Sequence, residues 1–312
     1  VLASTQRVLQ GVTTRAIINT RTPDATVQDK LAAVLKADVS GLAGTRSTAR
    51  AVTFADLPPL GAPGKIAARS VAVADPKIEE VRFANGVNLL VFQNPGEVGR
   101  VYVNVRFGRG MQAIPSGRSN PAWAADLALV ASGIEAPGGV LGQEELDKLT
   151  GDRQIGLSFG VGDDAFALGG QTRKEDLEDQ LKLMAAKLQS PAWDPNPVAR
   201  ARAVAISGYA ASSSSPGAVI GRDLARLLHA GDARWGKPDL KGIEKLNAKD
   251  FRAFWAPLLA SGPIEVQIFG DIDVEKAIEA ARMTFGAMKP RKPAPVVAPA
   301  ARLPAPAPAP GA

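Results

Sequence analysis

The stretch Arg100-Val-Tyr-Val-Asn-Val-Arg-Phe107 constrains the fold more than any other. Val101, Val103, Val105 and Phe107 fall on one face of an extended chain, and Arg100, Tyr102, Asn104 and Arg106 on the other. A strand so patterned belongs to a sheet buried on one side, which favours antiparallel pairing over a doubly wound parallel sheet. Two hairpins are predicted around it. One spans 81–92 and turns at Asn85-Gly86, whose tolerance of positive φ suits a two-residue turn; the other pairs 155–161 with 165–171 over Gly162-Asp-Asp164. Thr172-Arg-Lys-Glu175 reads as a capping box ahead of Leu177, Leu181, Met184, Ala185 and Leu188 at helical spacing. Further helices are predicted over 196–213, 217–229 and 247–260, then a strand over 263–271 and a helix over 274–285. This order predicts an α+β two-layer sandwich, a mostly antiparallel sheet with helices packed on one face.

With 312 residues, 46% apolar and 22% charged, the chain has room for one large or two modest domains. It has no cysteine and a single histidine, His229. That excludes a disulfide framework, a thiolate zinc site, a cysteine nucleophile and any metal site built on two imidazoles. No apolar run approaches the roughly 18 residues of a membrane span. The start, Val1-Leu-Ala-Ser-Thr-Gln, has neither an initiator methionine nor a signal-peptide layout and reads as part of a longer chain. The net charge of +6 is unevenly spread: residues 1–69 carry +5 and 289–312 carry +4, so 70–288 carry −3. Basic flanks on an acidic body argue against a nucleic-acid groove through the body, and no nucleic-acid partner is expected.

Proline punctuates the chain twice. Leu57-Pro-Pro-Leu-Gly-Ala-Pro-Gly64 breaks regular structure, and the Pro/Ala-rich stretch over 290–310 is expected to run as an extended spacer. Ahead of the first break, 14–20 reads as a strand and 26–39 as a helix with Val27, Leu31, Val34 and Leu35 on one face. The expected organisation is the end of a preceding domain at 1–45, a linker at 46–78, the main domain at 79–288 and a linker at 289–312.

The chemically suggestive residues each have a plainer reading. His229 ends an apolar helix, where a cation complements the dipole. Ser212 to Ser215 could be styled a triad with it, but they lack a Gly-x-Ser-x-Gly elbow and precede Pro216 at a helix boundary. The pairs Asp163-Asp164 and Glu144-Glu145 suit a turn and a first helical turn. Gly108-Arg-Gly110 follows a strand but lacks the Gly-Lys-Ser/Thr of a phosphate loop. Trp123, Trp193, Trp235 and Trp255 are too scattered for a base-stacking platform and read as core or domain-contact residues.

Val81-Arg-Phe-Ala-Asn-Gly-Val-Asn-Leu-Leu-Val, Arg106-Phe-Gly-Arg-Gly110, Asp164-Ala-Phe-Ala-Leu-Gly-Gly-Gln-Thr, Asp176-Leu-Glu-Asp-Gln-Leu-Lys-Leu and Ile264-Glu-Val-Gln-Ile-Phe-Gly-Asp271 together resemble one homology domain of the M16 (insulinase or pitrilysin-like) zinc peptidases. The resemblance covers about 79–290 and rests on the order and spacing of these segments. It implies the LuxS/MPP-like sandwich, in a chamber of facing domains that encloses an extended peptide. The family's chemistry sits on an inverted His-x-x-Glu-His motif that holds zinc, with a further Glu on a later helix. Here the matching helix reads Trp123-Ala-Ala-Asp-Leu-Ala-Leu-Val-Ala-Ser-Gly133, and the motif positions fall at about Ala124, Leu127 and Ala128. None binds zinc or accepts a proton, and 196–213 contains no acid for the last ligand.

No catalytic or metal residue is therefore assigned, and no substrate-binding residue is identified. The family's substrate-contacting Arg and Tyr belong to the following domain. What the resemblance implies is a degenerate, third-domain-like wall of a long bacterial zinc metallopeptidase, inert by itself. Zinc would sit in the catalytic domain, which is its partner in the same chain or as another subunit, and relatives of the long form imply a periplasmic location, with the cytoplasm as the alternative. The competing readings are an interaction module whose basic flanks hold a polyanion or an envelope surface, and a metal-free hydrolase using serine and His229.

Overall fold

The computed structural model describes residues 22, 24–38, 51–115 and 120–295. The chain divides into two units, Val1–Thr48 and Ala49–Ala312. In the first, helix α1 (Val27–Lys36) is shorter at both ends than the predicted 26–39, and Val34 and Leu35 on its apolar face are exposed. The strand expected over 14–20 lies outside the described residues, as does the spacer beyond 295.

The second unit is built on a seven-stranded sheet. In chain order its elements are β1 (Ile66–Val73), β2 (Ile78–Phe83), β3 (Asn88–Gln93), β4 (Val101–Phe107), α2 (Ala125–Ala131), a small hairpin β5 (Ile134–Ala136) and β6 (Gly139–Leu141), and α3 (Gln143–Thr150). There follow β7 (Ser158–Val161), β8 (Phe166–Thr172), α4 (Leu177–Gln189), α5 (Pro195–Tyr209), α6 (Pro216–Leu228), α7 (Leu240–Glu244), α8 (Ala248–Leu259), β9 (Ile264–Gly270) and α9 (Val274–Met283). The sheet order is β1-β2-β3-β9-β4-β8-β7, antiparallel throughout except where β9 lies parallel to β3. Helices cover one face, so the expected α+β two-layer sandwich is the observed one.

Alternation decides which face is covered. Val101, Val103, Val105 and Phe107 are buried, as are Val81, Leu89, Val91, Val266 and Ile268 on neighbouring strands. Trp255 of α8 is fully buried and meets Phe159 and Phe166 edge-on, with ring centroids 5.3 and 5.1 Å away. A second, smaller core gathers Phe54, Leu57, Ile134, Leu141, Leu146 and Leu149 against Leu183 and Ala186. Helix α4 therefore lies between two cores and is apolar on both sides, where the sequence pattern marked only one face.

Three local expectations are corrected. The hairpin at Asn85 has a three-residue loop, because the Phe83 N–H already donates to the Val87 carbonyl at 2.9 Å and Gly86 takes a φ of +89°. Asn85 is drawn away from a two-residue turn by its own amide, which lies 2.9 to 3.0 Å from the carbonyls of Phe285, Gly286 and Met288. Thr172 does not cap α4: it is the fully buried last residue of β8, and a 3₁₀ turn at Lys174–Asp176 intervenes. Asp176 organises that entry instead, accepting from the Gln154 N–H at 2.9 Å and the Arg173 guanidinium at 2.6 Å. Finally, 66–73 is a strand, where the proline-rich sequence predicts a linker. Although exposed throughout, β1 is held by Arg69, which reaches Glu79 of β2 at 2.5 Å and Glu275 of α9 at 2.6 Å.

Gly108 and Gly110 serve the turn after β4, both with positive φ. A Cβ on Gly110 would lie 2.2 Å from the Gly162 carbonyl oxygen and 2.6 Å from the Ala165 nitrogen, so the two hairpin ends close only around a bare backbone. Gly110→Ala is expected to destabilise the fold by about 2 kcal/mol, read as a lowered urea midpoint at unchanged slope.

Lys187 of α4 is buried and donates to the carbonyls of Val130 (2.8 Å) and Ser132 at the C-terminal end of α2. Burial pulls its ammonium down to about 8. Between about pH 8 and the ordinary lysine value the unfolded chain holds this proton and the folded chain does not, so stability rises with pH across that window. Lys187→Met removes the dependence. Denaturation at pH 7.5 and pH 9.5 is expected to show wild type gaining on the variant by roughly 1 kcal/mol per pH unit; parallel profiles would contradict it.

Candidate functional site

The helix that the sequence aligned with a zinc motif forms one wall of a groove of about 300 Å³. It begins in the 3₁₀ turn Pro121–Ala124, which Asn120 caps by accepting from the Ala122 N–H at 3.0 Å, and continues as α2. Ala124, Ala125, Ala128 and Leu129 are buried in the core, and Trp123 and Leu127 line the groove with Ala124 at its floor. The opposite wall is α5, started by Pro195 and capped by Asp194. Its Ala201, Ala205 and Gly208 recur at i, i+4 and i+7 on the groove side. Val204 and Tyr209 of the same helix also line it, and a Cβ on Gly208 would meet nothing within 4 Å. Ile243 of α7 and Pro238 close the far end.

The residues at this place do not fit a zinc ion. Of the three motif positions, Ala124 and Ala128 are buried in the core, Ala124 at the floor of the groove, and Leu127 presents its isobutyl group to the groove. The acid of α2, Asp126, is spent elsewhere: its carboxylate accepts from the Phe159 N–H at 3.2 Å and so occupies the outer edge of β7, the last strand of the sheet. Helix α5 carries no acid. Among the described residues, no group of three or more His, Cys, Asp or Glu is placed to hold a metal ion.

The charges that line the groove are cationic. Arg222 sits at the rim but is already neutralised, forked onto Asp223 at 2.8 and 2.7 Å and donating to the Ser213 hydroxyl at 2.6 Å. Lys237 is exposed and has no ion pair among the described residues. Nearby Asp239 turns its carboxylate to the start of α7, accepting from the Gly242 N–H at 2.8 Å.

The other suggestive residues have structural duties. His229 follows α6, stacks on Trp235 at 3.9 Å, and its Nε2 lies 3.8 Å from the Asp163 carboxylate, which also accepts from Trp235 Nε1 at 2.7 Å. The serines that a triad would need are used within the α5–α6 turn. Ser212 and Ser214 donate to the carbonyls of Tyr209 and Ala211, Ser213 accepts from Arg222, and Ser215 caps Ala218. Glu145 accepts from the Gly142 N–H at the start of α3, and Asp164 pairs with Arg106 at 2.7 Å. Beside His229, Arg234 is fully buried, paired with Asp232 at 2.6 Å and donating to the Ile114 carbonyl at 3.3 Å. Arg234→Met leaves the Asp232 carboxylate without its guanidinium and is expected to cost about 3 kcal/mol. Adding Asp232→Asn is expected to recover part of that loss in the same urea titration.

The groove itself was not legible as a site in the sequence. Its signal was the run of small residues on an acid-free helix, which gains meaning only when α2 is placed opposite. Likewise, the exposed face of α6, with Ile220, Leu224, Leu227 and Leu228, has helical spacing but no buried residue.

No family model matches the sequence, and no curated protein matches it. Solved structures do match its fold. The ferredoxin protease FusC, solved in complex with Arabidopsis ferredoxin, superposes with a TM-score of 0.63 at 20% identity, covering 91% of this chain and 30% of that one. The periplasmic protease PqqL from Escherichia coli gives 0.63 at 16% identity, covering 83% of this chain and 28% of its own. A peptidase M16 inactive domain from Pseudomonas fluorescens gives 0.54 at 16% identity, covering 70% and 52%. The chain thus spans less than a third of the length of the first two. Its α+β sandwich is the M16 peptidase-like fold.

Proposed function

We propose that this chain is a non-catalytic, substrate-enclosing domain of an M16-type zinc metallopeptidase, acting beside a catalytic domain that supplies zinc and hydrolyses the peptide bond. The observation that carries the reading is the helix at the motif position: in an M16-like fold, the places where zinc ligands and a base would be expected hold Ala124 and Ala128, buried in the core, and Leu127 at an apolar groove. A general base and three metal ligands cannot be assembled from those side chains. The inactive M16 domain among the fold neighbours supports the same role. The exposed apolar stripe of α6 supports a contact face for a partner domain, since such a stripe costs solvation unless something covers it.

In this reading 1–45 ends a preceding domain of the same kind, the folded unit runs from Ala49, and the Pro/Ala-rich segment leads onward. The location is periplasmic, as the name of the PqqL neighbour states for that protein. No helix among the described residues is long and apolar enough to cross a membrane.

The test is metal content and cleavage on one sample. The purified chain is expected to hold less than a tenth of an equivalent of zinc (~0.1) and to leave a quenched peptide library intact, with no effect of chelator. Stoichiometric zinc with chelator-sensitive cleavage would overturn the proposal. Salt-dependent binding to DNA or anionic vesicles that vanishes on removing 289–312 would instead favour the polyanion module.

A further inference from the structure

We infer that the groove over the seam of α2, α5 and α7 binds an extended peptide segment, taking one large apolar side chain against its lining and setting an adjacent acidic residue against Lys237. The inference rests on the reading of this chain as a wall that meets peptide, and it gives that wall a specific contact.

Shape and lining select the apolar side chain. At about 300 Å³ the groove is at the small end of ligand sites, suited to a single side chain rather than a folded surface. Trp123 and Tyr209 supply aromatic contacts, Leu127, Val204 and Ile243 aliphatic ones, and Ala205 and Gly208 let a ring lie close to the α5 backbone. Charge selects the neighbour. Arg222 and Asp223 satisfy one another and Asp239 is held at its helix start, which leaves the Lys237 ammonium facing outward beside Pro238. An acidic residue next to the inserted side chain reaches that cation, and a basic one is repelled. With no acid lining the groove and Asp126 turned away to Phe159, nothing there competes for the lysine.

The test uses the full chain and a labelled hexapeptide, Gly-Ser-Glu-Phe-Ser-Gly, blocked at both ends, followed by fluorescence anisotropy. Replacing its phenylalanine by alanine is expected to weaken binding by at least about tenfold, the loss of one buried ring. Lys237→Glu, an exposed change that leaves the thermal midpoint in place, is expected to weaken binding about fivefold and to reverse the preference toward a peptide with lysine in place of the glutamate. Gly208→Phe fills the groove from a helical position where the added side chain meets open space, and is expected to abolish binding without loss of fold.

Four results would overturn the inference: no binding at millimolar peptide, equal binding of the three peptides, indifference to both variants, or binding only when the peptide carries a free C-terminal carboxylate. An inert chain that ignores the peptide removes the groove contact and leaves the wall reading intact. A chain that cleaves peptides with zinc bound removes the wall reading, and the two variants still report on the groove.

Discussion

Everything in the larger unit depends on the insertion of β9 between β3 and β4. The strand arrives last, more than 170 residues after β3, yet it occupies the middle of the sheet and hydrogen-bonds on both edges. Without it β3 and β4 would each present an unpaired edge beneath the helical layer, where buried N–H and C=O groups are costly. The fit is tight at Gly270, whose φ is +126° and whose missing Cβ leaves room for the Arg100 carbonyl oxygen. Such long-range pairing is slow to form and places this sheet among topologies of high contact order.

The helical layer then settles what the fold can do. Helix α2 is fixed on one side by core contacts of Ala125, Ala128 and Leu129, at its end by Lys187, and at the sheet edge by Asp126. Held so, it packs closely on α5, with Ala124 and Ala201 both buried in the core, and the groove opens beside that seam. The groove beside this seam is largely apolar, with Arg222 and Lys237 at its rim.

The polar residues that drew attention as possible catalysts are explained by burial and loop closure. Asp163, His229 and Trp235 join the β7–β8 turn to the segment after α6, and Asp232 with Arg234 ties that segment to the turn after β4. Arg234 is a buried ion pair satisfied on several sides, the condition under which a buried charge is tolerated. The serines close a turn between helices.

The sequence by itself determined the periodicities. The alternation in 101–107 named the buried face, the spacing of Leu177 through Leu188 named a helix, and the lack of His, Glu or Asp at Ala124, Leu127 and Ala128 removed the zinc motif. These are local properties, set by which side chains share a face. Only the tertiary structure decided the rest, because it depends on partners distant in sequence. Val71 and Val73 gave no decisive strand signal until β2 supplied the hydrogen bonds and Arg69 its carboxylates. Thr172 resembled a helix cap until pairing with Val101 made it the end of a strand. Ala201, Ala205 and Gly208 marked nothing until α2 stood opposite, since a cavity is a property of two surfaces and no single stretch of chain encodes it.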